Sequence, residues 1–95
     1  MDTQEMFTQL NRDPAEYPLF HRVYQVLSFS PSSKHAGENE VKDLAWDALD
    51  YLRQDGHWET ASTTGSTSLW YNGRTLMVHE HDGDGFTYDH TFTVS

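Results

Sequence analysis

Cysteine is absent from the chain, which excludes disulfides and thiolate metal sites and leaves the redox compartment open. No apolar run approaches the ~20 residues that cross a bilayer, so no membrane contact is expected. The opening residues MDTQEMFTQ have neither a positive start nor an apolar stretch behind it. No secretory leader is therefore read there, and a cytoplasmic protein is the expectation. Basic residues are scarce: six Lys and Arg stand against fifteen Asp and Glu, giving a net charge of −9. With no Lys/Arg cluster to displace counterions, direct nucleic-acid binding is not expected. No Ser or Cys occupies a nucleophile motif, and there is no internal repeat.

What remains is a chain of 95 residues, 36% hydrophobic and 14% aromatic, sized for one domain with a modest core that leans on rings. Its acidity fits a basic partner, plain solubility or adaptation to salt, since Asp outnumbers Glu and only Lys34 and Lys42 are lysines.

Glu40 to Gln54 is the most strongly patterned stretch. Val41, Leu44, Ala45, Ala48, Leu49 and Leu52 recur at amphipathic helical spacing, and Gly56 stands where a left-handed cap belongs. Before it, Thr3 to Leu10 reads as a short helix with Met6, Phe7 and Leu10 on one side. Asp13-Pro14-Ala15-Glu16 reads as a helix start with Asp13 as N-cap, although Pro18 moves the true start toward Tyr17. Leu19, Phe20, Val23, Tyr24 and Leu27 keep helical spacing, while the tail VYQVLSFS also alternates and leaves a strand reading open. Ser30 to Gly37 is a loop by composition.

After Gly56 the period falls to two. Asn72-Gly73 predicts a hairpin with a two-residue loop, setting Tyr71 opposite Arg74, Trp70 opposite Thr75 and Leu69 opposite Leu76. Taking Gly83-Asp84-Gly85 as a three-residue loop places Leu76 opposite Phe92, Val78 opposite His90 and His79 opposite Asp89. Leu69, Tyr71, Leu76, Val78, Tyr88, Phe92 and Val94 then share one side. The expected fold is α+β over residues 1–95, with two or three N-terminal helices (about 1–55) packed on a three- to four-stranded antiparallel meander (about 57–95).

Four features could carry function. Glu40, Asp43, Asp47 and Asp50 line one side of the main helix. Like charges at i, i+4 and mid-helix Asp both disfavour an isolated helix, so the row is either a solvated face or a docking surface for a basic protein. Trp46, outside the apolar arc, is either an interface anchor beside those acids or a packing residue against the N-terminal helices. His79 and His81 point to one face of a strand with Asp89 opposite, a set that could hold a metal or act as a general base. A third metal ligand at a defined spacing is missing, so no metal or cofactor is expected. The stretch His81-Asp82-Gly83-Asp84-Gly85 resembles part of a calcium loop but fits a tight turn better. Trp58, Trp70 and Met77 are expected together on the outer sheet face, either under the protein's own helix or as a homodimer contact. The function this pattern favours is an acidic, non-enzymatic binding module that docks onto and inhibits a basic, nucleic-acid-handling protein. The alternatives are a His/Asp metal or hydrolytic site and a structural homodimer.

Overall fold

A computed structural model of the chain describes residues 14–94 and, before them, Glu5. Apart from Glu5, the helix expected from Thr3 to Leu10 lies outside these residues, as does the cap at Asp13. Pro14–Glu16 forms a 3-10 turn that feeds the first α-helix, α1, Tyr17–Ser28. Pro18 falls in its first turn, where a missing N–H leaves no intrahelical bond unmade. Leu19, Phe20, Val23 and Leu27 are buried on one side, and the helical spacing prevails over the alternating tail as far as Ser28.

The second helix, α2, is Glu38–Gln54. It starts two residues before Glu40, behind Gly37, with Glu38 and Glu40 in its first turn and Arg53 in its last, matching the helix dipole at both ends. Val41, Ala45, Ala48, Leu49 and Leu52 are buried. Both alanines are fully buried, and the rings of Phe20 and Trp46 join the two helices at 4.1 Å between centroids. The helix stops at Gly56, whose φ of 71° and close approach to the Tyr71 carbonyl suit a residue without Cβ.

Four antiparallel strands follow in the order β1-β2-β3-β4: β1 His57–Ser62, β2 Gly65–Tyr71, β3 Thr75–Asp82 and β4 Thr87–Thr93. The β3–β4 register is as expected, with Leu76 opposite Phe92, Val78 opposite His90 and His79 opposite Asp89. The β2–β3 register differs from the expectation by two residues: Tyr71 faces Leu76, Trp70 faces Met77 and Leu69 faces Val78. Asn72 is the reason. Its N–H closes the hairpin onto the Thr75 carbonyl at 3.3 Å, while its Oδ1 accepts the N–H groups of Arg74 (3.0 Å) and Thr75 (2.8 Å). Gly73 therefore becomes the first central residue of the turn, at φ 96°. Because the slip is even, the side chains of β2 and β3 stay on their expected faces.

One sheet face meets the helices and carries Leu69, Leu76 and Val78, with Val94 buried just beyond β4. Trp58 belongs to this face as well, which corrects the outer-face expectation: it pairs with Leu69 and is only 5% exposed. Trp70 and Met77 do lie on the outer face, 41% and 53% exposed.

The loop between the helices is more than a connection. Pro31–Ser33 forms a 3-10 turn whose hydroxyls tie it to the sheet. Ser32 Oγ and Thr67 Oγ1 lie 2.6 Å apart, Ser62 Oγ donates to the Ser32 carbonyl, and Thr64 Oγ1 donates to the Pro31 carbonyl. Ser33 Oγ donates to the Leu27 carbonyl at 2.6 Å, and Ser30 Oγ bonds the Glu80 carboxyl. Thr67 is fully buried, so its hydroxyl depends on Ser32. Thr67→Val keeps the shape and strips that partner, and should cost about 1–2 kcal/mol in urea denaturation. A change below about 0.3 kcal/mol would show that the hydroxyl layer is not stabilising.

Candidate docking surface

The buried residues of α2 define its outer side by subtraction. Glu40, Asp43, Asp47 and Asp50 are all exposed there, as is Glu38. The helix's two basic residues already have acidic partners: Lys42 Nζ lies 3.5 Å from Glu38, and Arg53 pairs with Glu16. Five acids against two bases leave the outer side strongly negative.

The acids are not equivalent. Asp47 Oδ2 accepts the indole N–H of Trp58 at 2.9 Å, so this carboxylate also pins β1 beneath the helix. Trp46 is half-buried, and its ring on Phe20 fills the packing role that the sequence leaves open beside an anchor role. Glu40 and Asp43 extend into solvent on the outer side. The sequence-predicted residues thus share one helix, with the four acids exposed on it and with Trp46 and Asp47 also joined to the fold.

The outer sheet face brings together part of the histidine set. His79 Nδ1 and Asp89 Oδ1 are 2.6 Å apart across β3 and β4, a geometry in which the carboxylate orients the imidazole. His81 is exposed farther along β3, opposite Thr87. Among the described residues, no three His, Cys, Asp or Glu side chains converge as a metal would require. His57 stacks on Trp70 on the same face, at 5.2 Å between centroids.

In the β3–β4 loop, Asp82 Oδ1 accepts the N–H groups of Asp84 (2.9 Å) and Phe86 (3.1 Å), which makes the tight turn the stretch suggests. Partial burial pushes the Asp82 carboxyl up, but these two N–H groups, the Tyr88 hydroxyl and nearby His81 outweigh it and hold the carboxyl below its ordinary value.

Sequence reasoning missed a groove of about 300 Å³ between α1 and the far edge of the sheet. Arg22, Gln25, Val26 and Phe29 form one wall; Glu80, His90 and Phe92 form the other. Arg22 lies over the Phe92 ring at 4.5 Å, and His90 Nε2 is 3.6 Å from the buried Glu80 carboxylate. The signal was present in the alternation of β3, since Glu80 follows Leu76 and Val78 at steps of two and must share their inward face.

Comparison with family models, curated proteins and solved structures returned no match.

Proposed function

We propose that this protein is a cytoplasmic docking module that binds a basic, nucleic-acid-handling protein through the outer side of α2. By covering that protein's working surface it would inhibit it, as immunity proteins and phage-encoded inhibitors act. The observation that carries the reading is the division of α2: its apolar side is consumed by the core, while Glu40, Asp43, Asp47 and Asp50 are displayed together on the other. Such a surface steers a positively charged partner into encounter and fixes its orientation more than it adds affinity. Trp46, half-buried at the margin of the acids, gives the surface an apolar edge.

The test is a titration of isotope-labelled protein with a lysine- and arginine-rich peptide, followed by amide chemical shifts. Shifts concentrated on α2 around Glu40, Asp43 and Asp47, and weakened about tenfold or more by ~0.3 M salt, support the reading. Shifts spread evenly over the acids of the whole chain contradict it.

One observation favours a second reading. The His79–Asp89 pair has the spacing of a general base with its orienting carboxylate. On that reading the outer sheet face is a hydrolytic site, and His79→Ala abolishes an activity that Glu40 and Asp43 substitutions leave untouched.

A further inference from the structure

Among the described residues, α1 reaches β4 through Arg22, which lies over the Phe92 ring, and leaves the rest of the strand's inward side open. The inward-facing side chains of this strand, Tyr88, His90 and Phe92, remain exposed or half-buried, and Phe29 stands 88% exposed across the groove. Among the described residues, no strand pairs with the outer edge of β4.

The register fixes which backbone groups that edge offers. The N–H of Val94 bonds the Arg74 carbonyl at 2.7 Å, and the N–H of Asp82 bonds the Phe86 carbonyl at 2.9 Å. Hydrogen-bonded pairs alternate along an antiparallel ladder, so Tyr88, His90 and Phe92 spend their backbone groups on β3. Thr87, Asp89, Thr91 and Thr93 therefore point their N–H and C=O groups away from the sheet. No proline, lysine or arginine guards this edge, the usual means of preventing strand addition.

From this edge and the exposed aromatic side chains beside it, we infer that β4 pairs with β4 of a second copy, antiparallel and centred on His90, to make one continuous eight-stranded sheet. The strand's own sequence selects that occupant. Centring on His90 overlaps the whole of Thr87–Thr93 and sets Asp89 opposite Thr91 and Thr87 opposite Thr93 of the second copy. On the helix side, Tyr88 meets Phe92 of the second copy, so the two aromatic rows join, a favourable kind of cross-strand pair. Centring on Asp89 would shorten the overlap and set two carboxylates face to face. A chain of net charge −9 can receive its own copy only where acid is sparse. β4 carries a single acid, and His79 already holds it at 2.6 Å.

This inference is independent of the α2 surface and responds oppositely to salt. Two acidic copies repel, so screening strengthens the dimer, whereas it weakens docking to a basic partner. Sedimentation of the whole chain from about 1 to about 500 μM, at low and at ~0.5 M salt, should show the mass rising from 11.0 kDa toward twice that value, further at high salt. Thr91→Pro removes an outward N–H without touching the β3 ladder, and should raise the dimer dissociation constant at least tenfold while the circular dichroism spectrum is kept.

The absence of cysteine allows a second readout. Under mild oxidation His90→Cys should form a covalent dimer, because residue 90 faces itself across the axis. Thr87→Cys should not, since its two copies would lie roughly 20 Å apart. A mass fixed at 11.0 kDa under all conditions overturns the inference. So does a dimer indifferent to Thr91→Pro, or cross-linking through Thr87→Cys as efficient as through His90→Cys.

Discussion

Replacing Trp58 with alanine is expected to cost about 3–5 kcal/mol of stability, the range for deleting a buried tryptophan. Trp58 is 5% exposed, lies opposite Leu69 in the core face and donates its indole N–H to Asp47. Its loss leaves a cavity between β1 and α2 and strands a carboxylate that had an N–H partner. Trp58→Phe restores most of the ring but not the donor, and should recover all but about 1–2 kcal/mol. Trp70→Ala on the outer face is the control and should stay within about 0.5 kcal/mol, because it is 41% exposed and its neighbours there are the surface residues His57 and Met77. Urea denaturation followed by circular dichroism separates the three. Similar losses for Trp58→Ala and Trp70→Ala would mean that the two tryptophans share an environment, contrary to the register.

Gly65→Ala should be nearly as damaging, at about 2–4 kcal/mol, for reasons of backbone and of space together. Gly65 opens β2 at φ 154°, and a Cβ there would stand 2.4 Å from the His81 carbonyl oxygen and 2.9 Å from Cβ of Pro31. Neither neighbour can swing away: one is ladder backbone, and the other belongs to the turn held down by the serine and threonine hydroxyls. The substitution should therefore loosen the serine loop along with the β1–β2 hairpin. Gly37→Ala, where nothing lies within 4 Å of the added atom, should change stability by less than about 0.5 kcal/mol. Thermal melts of both variants check the contrast. An unperturbed Gly65→Ala protein would show that this corner of the sheet is not closely packed.

These expectations mark where sequence pattern sufficed and where it did not. α2 was legible because six apolar positions repeat at one period for about three turns, and no strand can bury that set. The face of each strand from Leu69 onward was legible because apolar residues alternate there, and the misplacement of the turn at Asn72 by an even slip left the faces intact. β1 offers no such check. HWETAS holds one large apolar residue, so its parity depends on pairing with β2 across Thr63-Thr64, and no second apolar residue fixes the phase of Trp58. The serine loop misled in another way. Its composition is that of a solvated connection, yet Ser30 and Ser33 are buried because hydroxyls and carbonyls brought together by the fold satisfy one another. The acidic side of α2 was readable as a surface from its spacing. That Asp47 also holds Trp58 requires the two elements to be seen together.

This last contact decides how the proposed docking surface should be probed. Neutralising Asp47 would disturb an interaction that orders β1, so the informative pair is Glu40→Gln with Asp43→Asn, which removes two displayed charges and keeps side-chain shape. Relief of like-charge repulsion should leave the folded protein as stable as before or slightly more so. The decisive measurement is capture of a partner from lysate by wild-type protein and by this double variant, at ~0.05 M and ~0.5 M salt, with the captured protein identified and its association rate measured. The account predicts a basic, nucleic-acid-handling partner that is retained at low salt, released at high salt, and captured more slowly by the double variant. A partner bound equally by both proteins and unaffected by salt would contradict it.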